Sequence, residues 1–259
     1  MLTPRFPKAA CLLCPPLLCM LFNPSLHISH GLLKTVGTEV VVRHRERVPH
    51  GGAMLVISNH RSFLDAPLVM TAVNRSVRFA CHHYMSQVPV LKDMIAAMGC
   101  FPLDAPGQRH QTFFQTAIRS LKAREPIGIF PEGAQPMVQA TRPDQVGRFH
   151  RGFAHLALRA PVRDLAILPV AISSMEETIS PVAPLRLLSL FDPSEPLFKR
   201  PGWHPSVHYR RVTLSVGKPI SITPNHRSQY HGKQAGRLAK ELTRSCYGEI
   251  SKLLEEGFT

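Results

Sequence analysis

The run Ala53 to Ser58 (AMLVIS), opened by Gly51-Gly52, constrains the fold of this chain more than any other stretch. It is too short for an ordinary helix and lacks the apolar-polar alternation of a strand with one wet face. Such a run predicts a core strand of a mostly parallel sheet that is covered by helices on both faces, and therefore an α/β domain. It leads directly into Ser58-Asn59-His60-Arg61-Ser62-Phe63-Leu64-Asp65. A base and a carboxylate are thus delivered at a strand's carboxyl end, where open α/β sheets bind their ligands.

The spacing of His60 and Asp65 carries a geometric consequence. Five positions on one regular helix separate two side chains by roughly 140°, so the pair shares no helix face and meets only across a turn. With His60 in the strand-to-helix loop and Asp65 in the first turn before Pro67, the carboxylate can accept from one ring nitrogen and leave the other as a base. A histidine so held can take a proton from a hydroxyl as that hydroxyl attacks an acyl carbon. The plain alternative is a helix cap with a first-turn carboxylate favoured by the helix dipole. A second short apolar strand, within Pro126 to Gly133 (PIGIFPEG), delivers Glu132 and Gly133 at its own carboxyl edge. Two strand ends then feed one crevice.

With these blocks the chain resembles the glycerolipid acyltransferases of the lysophosphatidic acid acyltransferase type. The resemblance rests on Asn59 to Asp65, which matches the family's His-x4-Asp motif, and on Phe130-Pro131-Glu132-Gly133. Weaker matches are Gly99 to Asp104, Phe149 to Gly152 and Ile167 to Val170, so it extends over about residues 30 to 220. The resemblance implies that His60 is the general base, that Asp65 orients it, and that Asn59, Glu132 and Gly133 belong to the substrate site. It implies a fatty acyl thioester of coenzyme A or acyl carrier protein as donor, no acyl-enzyme, no metal and no further cofactor.

The chain also departs from the family pattern. Ala105 and Ala134-Gln135 stand where relatives usually carry arginines that hold the acceptor's phosphate. A phosphate monoester calls for charge-assisted, preferably bidentate contacts. Arg148 and Arg151 are the candidate replacements, with Arg142 a weaker one, and each could instead be a solvated surface arginine.

Composition narrows the partners. With 31 basic and 17 acidic residues, a formal charge of +14 and a pI near 10.1, the chain is drawn to polyanions. The basic residues are scattered with small clusters, there is one tryptophan, and no zinc-finger, helix-turn-helix or RNA-recognition pattern occurs, so an anionic membrane surface is favoured over nucleic acid. The six cysteines, three of them within residues 11–19, read as reduced thiols, and neither Cys11/Cys14 nor the histidine pairs His82-His83 and His27/His30 carry the companions a metal site needs.

Beyond the two motif strands, the pattern predicts strands at 78–82, 165–172 and 212–216, and helices at 90–98, 108–124, 153–159 and along 226–256. The segment Ala9 to Phe22 is apolar, but it is fourteen residues long and broken by Pro15-Pro16, against the ~20 of a membrane span. It reads as an interfacial or re-entrant anchor, with a signal peptide as the alternative. Pro181 to Pro201 mixes Leu and Phe with prolines and reads either as a membrane-facing or acyl-covering loop or as a plain surface loop.

The expected organisation is an N-terminal anchoring segment, residues 1–30, followed by one acyltransferase domain, residues 31–259. The expected activity is O-acyl transfer to a lysophospholipid hydroxyl at the cytoplasmic face of a membrane. Four alternatives stay open: another acceptor, such as a lyso-ornithine lipid, lysophosphatidylcholine or glycolipid; a transacylase; a non-catalytic lipid-binding protein on the same scaffold; and a basic nucleic-acid-binding protein.

Overall fold

A computed structural model describes residues 23–104 and 109–258. The apolar stretch Ala9 to Phe22 and Ala105 lie outside these residues. The chain begins with helix α1 (Pro24–Thr35) and strand β1 (Glu39–Arg43) and continues through β2 (Ala53–Ser58), α2 (Asp65–Val73), β3 (Arg78–Cys81), α3 (Pro89–Ala97) and β4 (Phe101–Pro102). Next come α4 (Arg109–Lys122), β5 (Ile127–Ile129), α5 (Gly152–Arg159), the long β6 (Leu165–Pro184), a single turn α6 (Leu185–Leu188) and β7 (Trp203–Val216). The short β8 (Ile220–Ser221), α7 (Pro224–Ser228) and the long C-terminal α8 (Gly232–Gly257) complete it.

The eight described strands form one sheet in the order β1-β7-β6-β2-β5-β3-β4, with β8 on β6. Pairing is parallel except at β6–β7 and β6–β8. This is the expected mostly parallel sheet flanked by helices. Strand β2 sits centrally between β5 and β6 and is buried along its whole length, as its unbroken apolar run requires. Its side chains alternate between two cores. Ala53, Leu55 and Ile57 pack with α4, α5 and α8 on one face, while Met54 and Val56 pack with α1 and α2 on the other. The period of two along a doubly covered strand thus sends each half of its apolar side chains to a different helix layer.

Helix α1 buries Leu26, Ser29 and Leu33 on the second face. It runs straight across the expected boundary at residue 30, so the folded unit includes residues from at least Pro24 onward. Its pattern is short and interrupted by polar residues, which hid it in the sequence.

The largest departure concerns β6 and β7. Both run well past the expected 165–172 and 212–216, pairing antiparallel from Val170↔Val216 out to Pro184↔Trp203, with irregular register near Glu176 and Pro181. They form an arm whose base belongs to the sheet. Pro181 to Pro201 is therefore not a loop throughout. Its first residues end β6, then α6 and a 3-10 turn (Pro196–Lys199) build the tip, where Leu185 and Phe198 are buried against Tyr84. A two-stranded arm lacks a neighbour on each outer side, which is why prolines are tolerated along it.

The tip is also pinned by His82, whose Nε2 lies 2.8 Å from Glu195 Oε2 and whose Nδ1 lies 3.7 Å from Asp192. The expectation that this histidine lacks carboxylate companions is thus corrected, since both arrive from a segment more than a hundred residues away in sequence and no local pattern announces them.

The C-terminal helix forms as expected but starts at Gly232, after the separate turn α7. Its Ala239, Leu242, Cys246, Ile250, Leu253 and Leu254 are buried on the sheet. Cys81, Cys100 and Cys246 are free thiols, and burial pushes Cys81 and Cys246 up to about 12 and Cys100 up to about 11.

Candidate active site

At the carboxyl end of β2 the chain turns sharply through residues 59–64 before entering α2. Across this turn His60 Nδ1 meets Asp65 Oδ2 at 2.8 Å. Asp65 is fully buried, and the same oxygen accepts the backbone N–H of Arg61 at 2.6 Å and of Ser62 at 2.8 Å. Its other oxygen accepts the hydroxyl of Tyr209, from β7, at 2.9 Å. An ionised carboxylate only accepts, so the Asp65 contact places the imidazole proton on Nδ1 and the lone pair on Nε2. Among the described residues Nε2 has no hydrogen-bond partner, and the side chain of His60 is 22% exposed.

Tyr209 is a neutral donor in this arrangement. Burial, then the neighbouring Asp65 charge, pushes its phenol well above the usual range. Sequence reasoning missed it because nothing in its local pattern distinguishes it from an ordinary core tyrosine.

The His60 ring is fixed on its flat side as well. It stacks on Phe130 with 4.3 Å between centroids and 13° between planes, and Phe130 stacks on Phe79 at 4.8 Å and 14°. Phe79 fits only because residue 128 is glycine: a Cβ there would lie 2.1 Å from Phe79 Cε1. The Ile-Gly-Ile of β5 thus serves the site through a missing side chain.

Glu132 is brought beside His60, but through the backbone. Its Oε1 accepts the N–H of His60 at 2.9 Å and its Oε2 accepts the N–H of Gly147 at 2.8 Å. It therefore ties the 59–64 turn to the loop before α5. Burial raises the pKa of its carboxyl, with the two amide hydrogen bonds pulling the other way. Gly147 is required for this approach, since a Cβ would stand 2.3 Å from Oε2. Gly133 follows in an exposed turn at φ +71°, a conformation that favours glycine.

Asn59 occupies a different position from the one expected. It is 2% exposed, and its amide donates to the carbonyl of Ile172 at 3.0 Å and accepts that residue's N–H at 2.8 Å. It braces β2 against β6 and presents no open face to a ligand. Arg61, passed over in the sequence, is a second brace. Its guanidinium pairs with Glu177 of the arm in two hydrogen bonds and donates to the carbonyl of Thr141 at 2.9 Å from Nε. Arg61 thereby locks the turn, the arm and the 139–148 loop together.

The other candidate arginines separate. Arg142 is engaged by Asp144 in a bidentate pair, at 3.0 and 2.6 Å, which lowers the Asp144 pKa. Arg148 and Arg151 are exposed and line a concavity of about 460 Å³ against the C-terminal helix. Ala134-Gln135 begins a 3-10 turn with Gln135 exposed, and no arginine takes its place there.

Residues 39–173 match the family model described as Acyltransferase. No curated protein matches the chain. Among solved structures, the crystal structure of the 1-acyl-sn-glycerophosphate (LPA) acyltransferase PlsC from Thermotoga maritima is similar in fold, with a TM-score of 0.57 and 18% sequence identity over 90% of this chain and 77% of that one.

Proposed function

This chain belongs to the acyltransferase family, and from that premise we propose that it transfers a fatty acyl group from a thioester to the hydroxyl of a lysolipid at a membrane surface, with His60 as general base. The carrying observation is the oriented imidazole: Asp65 and Tyr209 fix one side, Phe130 fixes the ring plane, and Nε2 is left without a protein partner.

In this reading a lysolipid hydroxyl donates its proton to Nε2 while its oxygen attacks the thioester carbonyl. The imidazolium that forms is stabilised through Nδ1–H by Asp65. Collapse of the tetrahedral intermediate breaks the carbon–sulfur bond, and the departing thiolate takes the proton back from Nε2. Asp65 is held in place by three N–H groups and one hydroxyl. Glu132 acts as a positioning residue, since both its oxygens are engaged by backbone amides. Gly133 shapes the turn beside it. The acceptor named for the similar thermophilic enzyme, a 1-acyl-sn-glycerophosphate, is the first acceptor to try. The absence of arginine at Ala134-Gln135 and the engagement of Arg142 by Asp144 favour testing lysolipids whose phosphate is held elsewhere or is absent.

The arm supports the membrane part of this reading. Its outer half and tip expose Val182, Leu187, Leu190, Phe191 and Trp203, with Leu190 73% exposed. Large apolar side chains exposed in this number on one arm suit an interaction surface. The charges around it are Arg186, Lys199 and Arg200, whereas the acids Asp192 and Glu195 are buried and turned to His82. An exposed apolar tip that also carries cations suits the boundary of an anionic bilayer. No helix among the described residues is long and apolar enough to cross a membrane.

The deciding experiment incubates purified protein and anionic vesicles with radiolabelled acyl-coenzyme A or acyl carrier protein and a panel of lysolipids. Label in a diacyl product supports the proposal. No transfer to any lysolipid from either donor would overturn it.

A further inference from the structure

The concavity between the 148–151 loop and α8 is lined by four cations and no acid. Arg148 and Arg151 face Lys240 and Arg244 across it, and among the described residues no carboxylate pairs with any of the four. Some cations of the chain do have acidic partners. On the same helix Arg237 pairs with Glu241 and Lys252 with Glu256, while elsewhere Arg61, Arg124, Arg142 and Arg210 all have acidic partners. Like charges left together without counter-charge repel one another and disfavour the folded state unless a ligand neutralises them. Their positive potential is already felt nearby, where Arg151 adds to burial in lowering the His155 pKa.

The shape narrows the ligand. A volume of about 460 Å³ far exceeds one phosphate group, and a single phosphomonoester is satisfied by fewer than four cations. The wall is aromatic: Phe149 and Tyr247 meet edge to face at 5.2 Å, leaving Tyr247 39% exposed on the lining. A concave, cationic surface with an accessible ring fits a small multiply phosphorylated molecule that carries a flat base. The pocket is also connected to the site by the backbone, because Arg148 directly follows Gly147, which holds Glu132, which in turn holds the N–H of His60.

We propose that this pocket binds the phosphorylated adenosine portion of coenzyme A, with Lys240 and Arg244 of the C-terminal helix and Arg148 and Arg151 of the loop engaging its diphosphate and 3′-phosphate. The inference rests on the acyltransferase reading only for the identity of the donor. Binding itself can be measured without turnover.

The test is calorimetric titration of the full chain with coenzyme A, dephospho-coenzyme A and inorganic phosphate. The double variant Lys240→Glu/Arg244→Glu is compared with the milder Lys240→Gln/Arg244→Gln, and circular dichroism checks that each folds. Coenzyme A should bind more tightly than dephospho-coenzyme A, weaken with salt, and lose about tenfold or more in affinity in both variants, as expected when charge-assisted contacts are removed. In turnover assays the KM for acyl-coenzyme A should rise by the same factor, with the KM for the lysolipid unmoved.

Unchanged coenzyme A binding in both folded variants overturns the proposal. A rise in lysolipid KM alone also overturns it and assigns the pocket to the acceptor headgroup. Loss of transfer from acyl carrier protein, with coenzyme A binding intact, overturns it in favour of an acidic protein surface. If the wild type binds coenzyme A through these residues yet acylates no lysolipid, the pocket stands and the proposed acceptor class fails.

Discussion

Tyr209 and Asp65, 144 residues apart in sequence, are joined by a 2.9 Å hydrogen bond in the interior of the protein, and that bond closes the set of donors around the carboxylate that orients His60. Replacing Tyr209 by Phe keeps the ring and removes only this donor. The cost expected for a buried acceptor losing a partner is about 1–3 kcal/mol, seen as a lower urea midpoint. If Asp65 is the orienting group, kcat should fall while the KM for both substrates holds. A variant with full kcat would detach Tyr209 from the mechanism.

His60→Ala should reduce transfer by about 10²- to 10⁴-fold, the usual contribution of a general base, with an unchanged circular dichroism spectrum. Asp65→Asn should also lose activity, but with a lower midpoint of unfolding, because an amide presents an N–H₂ to backbone donors. A fully active His60→Ala protein is incompatible with the assigned role.

Gly128 tests the aromatic stack. In Gly128→Ala the new Cβ would meet Phe79 at 2.1 Å, and relieving that clash should cost about 1–3 kcal/mol of stability. Because Phe79 supports Phe130 and Phe130 supports the His60 ring, activity per folded molecule should fall too. The smaller partner change Gly128→Ala/Phe79→Leu should recover stability but not the full rate, which steady-state assays on the soluble fraction can resolve.

Glu132 gives a pH dependence with a definite direction. Burial raises its folded carboxyl pKa above the ordinary 4.5. The folded state therefore holds this proton more tightly than the unfolded chain does. Its contribution to stability is fully present below pH 4.5 and is lost as pH rises through the raised folded value. Denaturant unfolding across that window should show this component in the wild type and lack it in Glu132→Gln. An identical pH slope in the two proteins would contradict the assignment.

The arm predicts a separation between membrane binding and chemistry. Leu190→Glu/Phe191→Glu should weaken sedimentation with anionic vesicles while leaving turnover of a short-chain, monomeric lysolipid close to wild type. Equal vesicle binding would remove the arm from the membrane contact.

What the sequence determined by itself was whatever depends on near neighbours along the chain. The unbroken AMLVIS run fixed a doubly covered central strand, and the five-residue interval from His60 to Asp65 required a turn that brings both side chains together. The Pro-Glu-Gly after β5 placed Glu132 at the same sheet edge. What only the tertiary structure decided depends on residues distant in sequence. Tyr209 on Asp65, Glu177 on Arg61 and Ile172 on Asn59 are isolated residue pairs between elements, and no periodicity encodes an isolated pair. The same holds for the role of Gly128, which is defined by the Phe79 ring that fills its space, and for the long arm, whose strands continue beyond the sheet because they pair with each other. Local spacing sets which backbone conformation is affordable, but which side chains then meet is settled by how the sheet orders its strands.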